Sequence, residues 1–86
     1  TVVEAVELVR SRGAARVTVA AVHPILSGPA PERLRKMAVD RYVFTDSVPI
    51  PAERSNPRIT VLSVAALLAE AITRIHDGRS VSAMFE

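Results

Sequence analysis

The chain has 86 residues, no cysteine and a formal net charge of +2; 49% of its residues are hydrophobic but only 3% are aromatic. Without cysteine, disulfides, thiolate metal sites and cysteine nucleophiles are excluded, a usage that fits a cytoplasmic protein, and no apolar run approaches the ~20 residues of a membrane span. The basic residues are scattered among acids, with only Arg33, Arg35 and Lys36 grouped and no aromatic stacking platform beside them, so neither a membrane nor a nucleic acid is expected as a partner.

One small domain is the most this length allows, and such a domain buries only about 60–65% of its unfolded surface. The apolar content is Val, Ala, Leu and Ile, which suits layers of sheet and helix and asks for more apolar partners than the chain itself supplies. The chain opens on Thr1 directly inside a helical pattern and without Met, which we read as a piece of a longer protein whose upstream part is absent.

Thr1–Arg12 has a helical period: Val2, Ala5, Val6 and Val9 share a stripe, with Glu4, Glu7 and Ser11 opposite and Gly13 as the stop. Val17 to Val22 is a nearly continuous, β-branched apolar run, the signature of a strand buried on both faces of a parallel sheet. After His23-Pro24 and the Ser27-Gly28-Pro29 loop, Pro31–Met37 reads as a short helix anchored by Leu34 and Met37. Arg41–Thr45 is a second strand, and Asp46-Ser47 follow it before prolines 49 and 51 forbid regular structure. Ile59–Leu62 is a third strand, and Ser63 is a good N-cap for a helix over Val64–His76. Val64, Leu67, Leu68, Ala71, Ile72 and Ile75 give that helix one wide apolar face, Glu70 can pair with Arg74, and Asp77-Gly78 end it. A short hydroxyl-rich tail, Arg79–Glu86, closes on Met84-Phe85. Strands alternating with helices predict an α/β fold with a partial parallel sheet of about three strands and flanking helices.

In such folds ligands bind outside the carboxyl ends of the strands, so the loop holding His23, Ser27 and Gly28 is a candidate crevice. His23 can act as an acid or base or donate to a phosphate, or it can be a structural hydrogen-bonding residue; no triad partner lies near it in sequence. Ser27-Gly28 can present backbone N–H groups to an anion but matches no phosphate-loop motif. Asp46 can bind a metal or a sugar hydroxyl, or serve as a turn residue or helix cap. His76, in the last turn of its helix, reads as structural. No pair of carboxylates and no His/Asp cluster has ligand spacing, so no metal site built wholly from this chain is expected.

Three segments together, His23–Leu34 (HPILSGPAPERL), Phe44–Pro51 (FTDSVPIP) and Val61–Phe85 (VLSVAALLAEAITRIHDGRSVSAMF), resemble the carboxyl-terminal part of the ribose-phosphate pyrophosphokinases, or phosphoribosyl pyrophosphate synthetases. The resemblance implies a type I phosphoribosyltransferase-like fold, of which residues 1–86 are the C-terminal part. It implies transfer of pyrophosphate from Mg²⁺-bound ATP to ribose 5-phosphate, giving phosphoribosyl pyrophosphate and AMP for nucleotide biosynthesis, in a homo-oligomer, typically a hexamer. The ATP-binding, Mg²⁺-binding and catalytic-loop residues would lie upstream, leaving no catalytic residue here and an inactive fragment. Thr1 is similar to the last threonine of the family's ribose-phosphate loop, which binds the 5-phosphate at a helix N-terminus; as a bare residue it can equally be an N-cap. Ser80, Ser82 and Phe85 match the SVS-x-x-F segment of a regulatory site for ADP or phosphate at a subunit interface, with a plain docking tail as the alternative. Ala83 and Met84 differ from the bulkier residues common there. His23, Ser27 and Gly28 would shape the crevice. A non-catalytic regulatory paralogue that associates with the synthetase is the second reading.

Overall fold

A computed structural model describes residues 2–86. The first helix, α1 (Val2–Ser11), leads to strand β1 (Thr18–Ala21). Helix α2 (Ala30–Lys36), strand β2 (Arg41–Thr45) and strand β3 (Ile59–Leu62) follow, the last two joined through a single 3-10 turn at Ala52–Arg54. Helix α3 (Ala65–His76) and a final 3-10 turn, Ser82–Phe85, complete the described chain. All pairing is parallel, in the order β1-β2-β3, with Val19 opposite Tyr42 and Tyr42 opposite Ile59. The α/β reading of the sequence therefore holds, with each element within two residues of its expected bounds.

Both long helices stop where glycine lets the chain turn back. Gly13 (φ 95°) and Gly78 (φ 69°) occupy the left-handed region that a Cβ disfavours. In α1 the N–H groups of Gly13 and Ala14 bond to the carbonyls of Arg10 and Val9; in α3 those of Gly78 and Arg79 bond to Ile75 and Arg74. These are paired Schellman closures, and they satisfy carbonyls that the last turn would otherwise leave open.

The core lies on one face of the sheet. Alternation along β2 sends Tyr42 and Phe44 to that face, where their rings stack with centroids 6.0 Å apart. Val6 of α1, Val17 and Val39 are buried with them, and Leu34 of α2 and Met37 just after it pack against the cluster. The opposite face is open, which corrects one expectation: β1 is not buried on both faces. Only Val17 is buried and Val19 half-buried, while Val22 is exposed. β1 is an edge strand, and among the described residues no helix covers its second face. The apolar face of α3 is open as well; Leu67, Leu68, Ile72 and Ile75 are exposed and no residue of that helix is buried. The radius of gyration is 16.6 Å, against about 12 Å for a compact chain of this length.

Two arginines lock the ends of these layers. At the amino end of the sheet, Arg10 donates to the carbonyls of Ala38 (2.9 Å) and Ala15 (3.0 Å) and to Asp40 Oδ2 (2.7 Å). The same carboxylate oxygen accepts the Val17 N–H at 2.8 Å. Arg58, just before β3, donates to the carbonyls of Leu34, Arg35, Met37 and Val39 and lies 5.7 Å over the Tyr42 ring. It thereby caps the carboxyl end of α2 and ties it to the sheet.

Candidate functional site

The parallel register sets Ala21 beside Phe44, and Phe44 and Thr45 beside Val61 and Leu62, so the three strands end together. The loops that follow emerge on one edge, as open α/β sheets require of a ligand crevice. There the hydroxyls of Thr45 and Ser47 both donate to the Val22 carbonyl, at 2.6 and 2.8 Å. Thr45 Oγ1 also accepts the Ser47 N–H at 3.1 Å and lies 2.9 Å from Ser47 Oγ. His23 Nδ1 is 2.8 Å from Ser47 Oγ. Each hydroxyl has one proton to give and the Val22 carbonyl can only accept, so His23, Ser47, Thr45 and Val22 form one connected hydrogen-bond network in which His23 Nδ1 is paired with Ser47 Oγ.

Asp46, between those hydroxyls, turns to the third strand's exit. Its Oδ1 accepts the Val64 N–H at 2.8 Å, and Ser63 Oγ accepts the Ala65 N–H at 3.1 Å. The bond from Val64 and a second from the Ser63 side chain hold the Asp46 carboxyl below its ordinary value of 3.8, because both favour the ionised form. Asp46 thus serves the start of α3, where it and Ser63 accept the first two N–H groups; the N-cap position itself is Val64, one residue beyond the expected Ser63. Gly28 forms the turn before α2, in which the Ala30 N–H bonds to the Ser27 carbonyl at 3.2 Å. Ser27 is exposed and borders a shallow cleft between the first and second exit loops, with Pro24, Val48 and Pro51. It does not join the His23–Ser47 cluster. His23 itself borders an apolar cavity of about 320 Å³, shared with Ala21, Leu26, Arg33 and Met37.

The tail forms a second cluster away from the strand tips. Ser80 Oγ and Ser82 Oγ are 2.8 Å apart, and Arg74 Nη1 donates to the Ser80 carbonyl at 3.0 Å. Met84 is half-buried and Phe85 is 71% exposed. Thr1 lies outside the described residues. His76 is exposed in the last turn of α3.

Sequence reasoning missed Ser47 as the partner of His23, and Thr45 as a partner of the Val22 carbonyl, some two dozen residues away. The signal was present in the strand assignment, since parallel pairing of β1 with β2 sets Thr45 level with Val22. Nothing local pointed to Arg74 as a contact of the tail. Among the described residues, no three His, Asp or Glu side chains are grouped to hold a metal ion, and no helix is long and apolar enough to cross a membrane.

The profile of a family described as "phosphoribosyl synthetase-associated domain" matches residues 1–86. The chain is 47% identical over 85 residues to a ribose-phosphate pyrophosphokinase of Caldanaerobacter subterraneus, covering 99% of this chain and 27% of that protein. It is 43% identical to the enzyme of the same name from Oceanobacillus iheyensis, again over 27% of that protein. A crystal structure of phosphoribosylpyrophosphate synthetase from Mycobacterium smegmatis superposes with a TM-score of 0.85 at 39% identity, covering 90% of this chain and 26% of that one. The chain thus spans about a quarter of the length of these relatives.

Proposed function

The chain belongs to the phosphoribosyl synthetase-associated domain family, and we propose that it is the carboxyl-terminal part of a ribose-phosphate pyrophosphokinase. The complete protein would transfer pyrophosphate from ATP to the anomeric hydroxyl of ribose 5-phosphate, releasing AMP, and would work as a homo-oligomer. The observation that carries this reading is the extent of the likeness. Identity of 39–47% runs through almost the entire chain rather than through one motif.

The residues of this chain take up part of that task. The β1 and β2 exit loops, joined by His23, Ser47 and Thr45, form one wall of the crevice. The amino end of α1 faces a phosphate in this reading, with Thr1 at the 5-phosphate end, because unpaired N–H groups and the helix dipole favour an anion there. Mg²⁺ enters with ATP and in this reading is held by residues upstream of this chain; Asp46, the carboxylate at the crevice, gives one oxygen to the Val64 N–H. Phosphoryl transfer needs the cation and a charge-stabilising loop, so the 86 residues alone are inactive. Ser80, Ser82 and Phe85 form an effector site for ADP or phosphate. Two exposed hydroxyls at 2.8 Å and an exposed ring are suited to a phosphate and a packing partner.

The test is AMP release from ATP by the complete protein with ribose 5-phosphate and Mg²⁺. Release that depends on both substrates is expected. Its absence, together with altered activity of a separate synthetase on mixing, would favour a regulatory paralogue, a reading to which the word "associated" in the family's description lends weight.

A further inference from the structure

The tail that carries Ser80 and Ser82 is gripped by one residue of α3 at two points. The Arg74 carbonyl accepts the Arg79 N–H at 2.8 Å, and Arg74 Nη1 donates to the Ser80 carbonyl at 3.0 Å. The other two guanidinium nitrogens, Nε and Nη2, are held by Glu70 Oε1 at 3.0 and 2.9 Å. Every nitrogen of the group is therefore engaged within the chain, and its side chain is only 20% exposed. Three of its five N–H groups are thus used to hold the chain's own atoms. The guanidinium can thereby fix where the Ser80 backbone stands, and through it the hydroxyl 2.8 Å from Ser82. Two hydroxyls at that distance share one hydrogen and leave the other to donate outward. Only residues 79–81 separate the helix closure from the final 3-10 turn, so little slack remains to restore the pair once the grip is lost.

We propose that Arg74, braced by Glu70, is a positioning residue for anion recognition by the Ser80–Ser82 pair. The proposal rests on the effector-site reading of the tail given above. An arginine paired with a glutamate four residues before it is otherwise an ordinary helix-surface pair whose loss costs only a few tenths of a kcal/mol of stability, and that role would leave the effector response untouched.

The experiment uses the complete protein with Arg74→Met, Arg74→Lys and the double variant Ser80→Ala/Ser82→Ala. Inhibition by ADP is followed alongside uninhibited kcat and KM, and ADP binding is measured by calorimetry, which needs no turnover. Arg74→Met should raise the ADP concentration for half-inhibition about tenfold, the size expected for losing a charged hydrogen bond. Uninhibited kcat and KM of Arg74→Met should stay within about twofold of the parent. Arg74→Lys should be intermediate, because one ammonium can serve Glu70 or Ser80 but holds no planar fork. Combining Arg74→Met with the serine changes should weaken the response no further than the serine changes do. If Arg74→Met keeps the parental ADP response while the serine variant loses it, Arg74 is structural and the proposal fails, with the effector reading intact. If both respond as the parent does, the effector reading fails and takes the proposal with it. Should Arg74→Met not fold, Glu70→Ala, which removes the acceptor of both bracing bonds at an exposed helix position, carries the same expectation and the same refutation.

Discussion

Asp40 and Asp46 show how a single carboxylate can join parts of the chain that are far apart in sequence. Asp40 bonds to the Val17 N–H and to Arg10, and Asp46 to the Val64 N–H. The Val17 bond holds the Asp40 carboxyl below 3.8; burial works against it, and Arg10 adds to it. A carboxyl depressed in the folded state lends stability that is complete above its unfolded value and fades as pH falls through the folded value. Acid sensitivity traceable to Asp40 should thus appear only below about pH 4. Thermal melts followed from neutral pH downward should show Asp40→Asn less stable at neutral pH and converging on the parent in acid. A constant gap across that range would show that Asp40 acts by shape and not by charge. His23 was legible as a residue at a strand end, but its hydroxyl partner Ser47 was not, because it depends on which strand lies beside β1.

Among the secondary-structure elements, α2 depends most on a residue outside itself. It has seven residues, no side-chain cap and no buried residue, too little to persist alone. Arg58 supplies what it lacks through four backbone carbonyls, aided by the Tyr42 hydroxyl, which donates to Leu34 at 2.8 Å. Arg58→Lys keeps the charge but offers no fork to span those acceptors, and it should cost about 2 kcal/mol in denaturant unfolding. A loss within measurement error would mean that α2 is held by Leu34 and Met37 packing alone. The helix ends were readable without any structure. Gly13 and Gly78 each follow an apolar periodic segment, and closure on glycine is a local event.

The assembled chain leaves apolar surface uncovered on two sides: the second face of the sheet and the long face of α3. Leu68, Ile72 and Ile75, each more than half exposed, lie along the latter. Contiguous apolar patches of this kind are rare on free-standing monomers. The 86-residue chain on its own should bind an apolar fluorescent dye strongly, and Leu68→Lys with Ile72→Lys should reduce that signal by at least about half while far-UV circular dichroism keeps its helical content. A signal unmoved by these changes would assign the dye to the open face of the sheet instead. Composition alone pointed in this direction, since the chain is richer in Val, Ala, Leu and Ile than its own core can absorb.

Unaided, the amino-acid sequence determined the features that act over four or five residues: helix periods and their glycine stops, β-branched strands, the prolines that break the chain after β2, and the segments shared with a known family. Long-range pairings were beyond it. His23 with Ser47, Arg10 with Asp40, and Arg58 with the end of α2 exist only because parallel strands in the order β1-β2-β3 bring loops distant in sequence together at the two ends of the sheet. An apolar stripe announces that a face avoids water, whereas register and layering, set by the packing of Tyr42 and Phe44 under α1 and α2, decide which faces this chain covers itself.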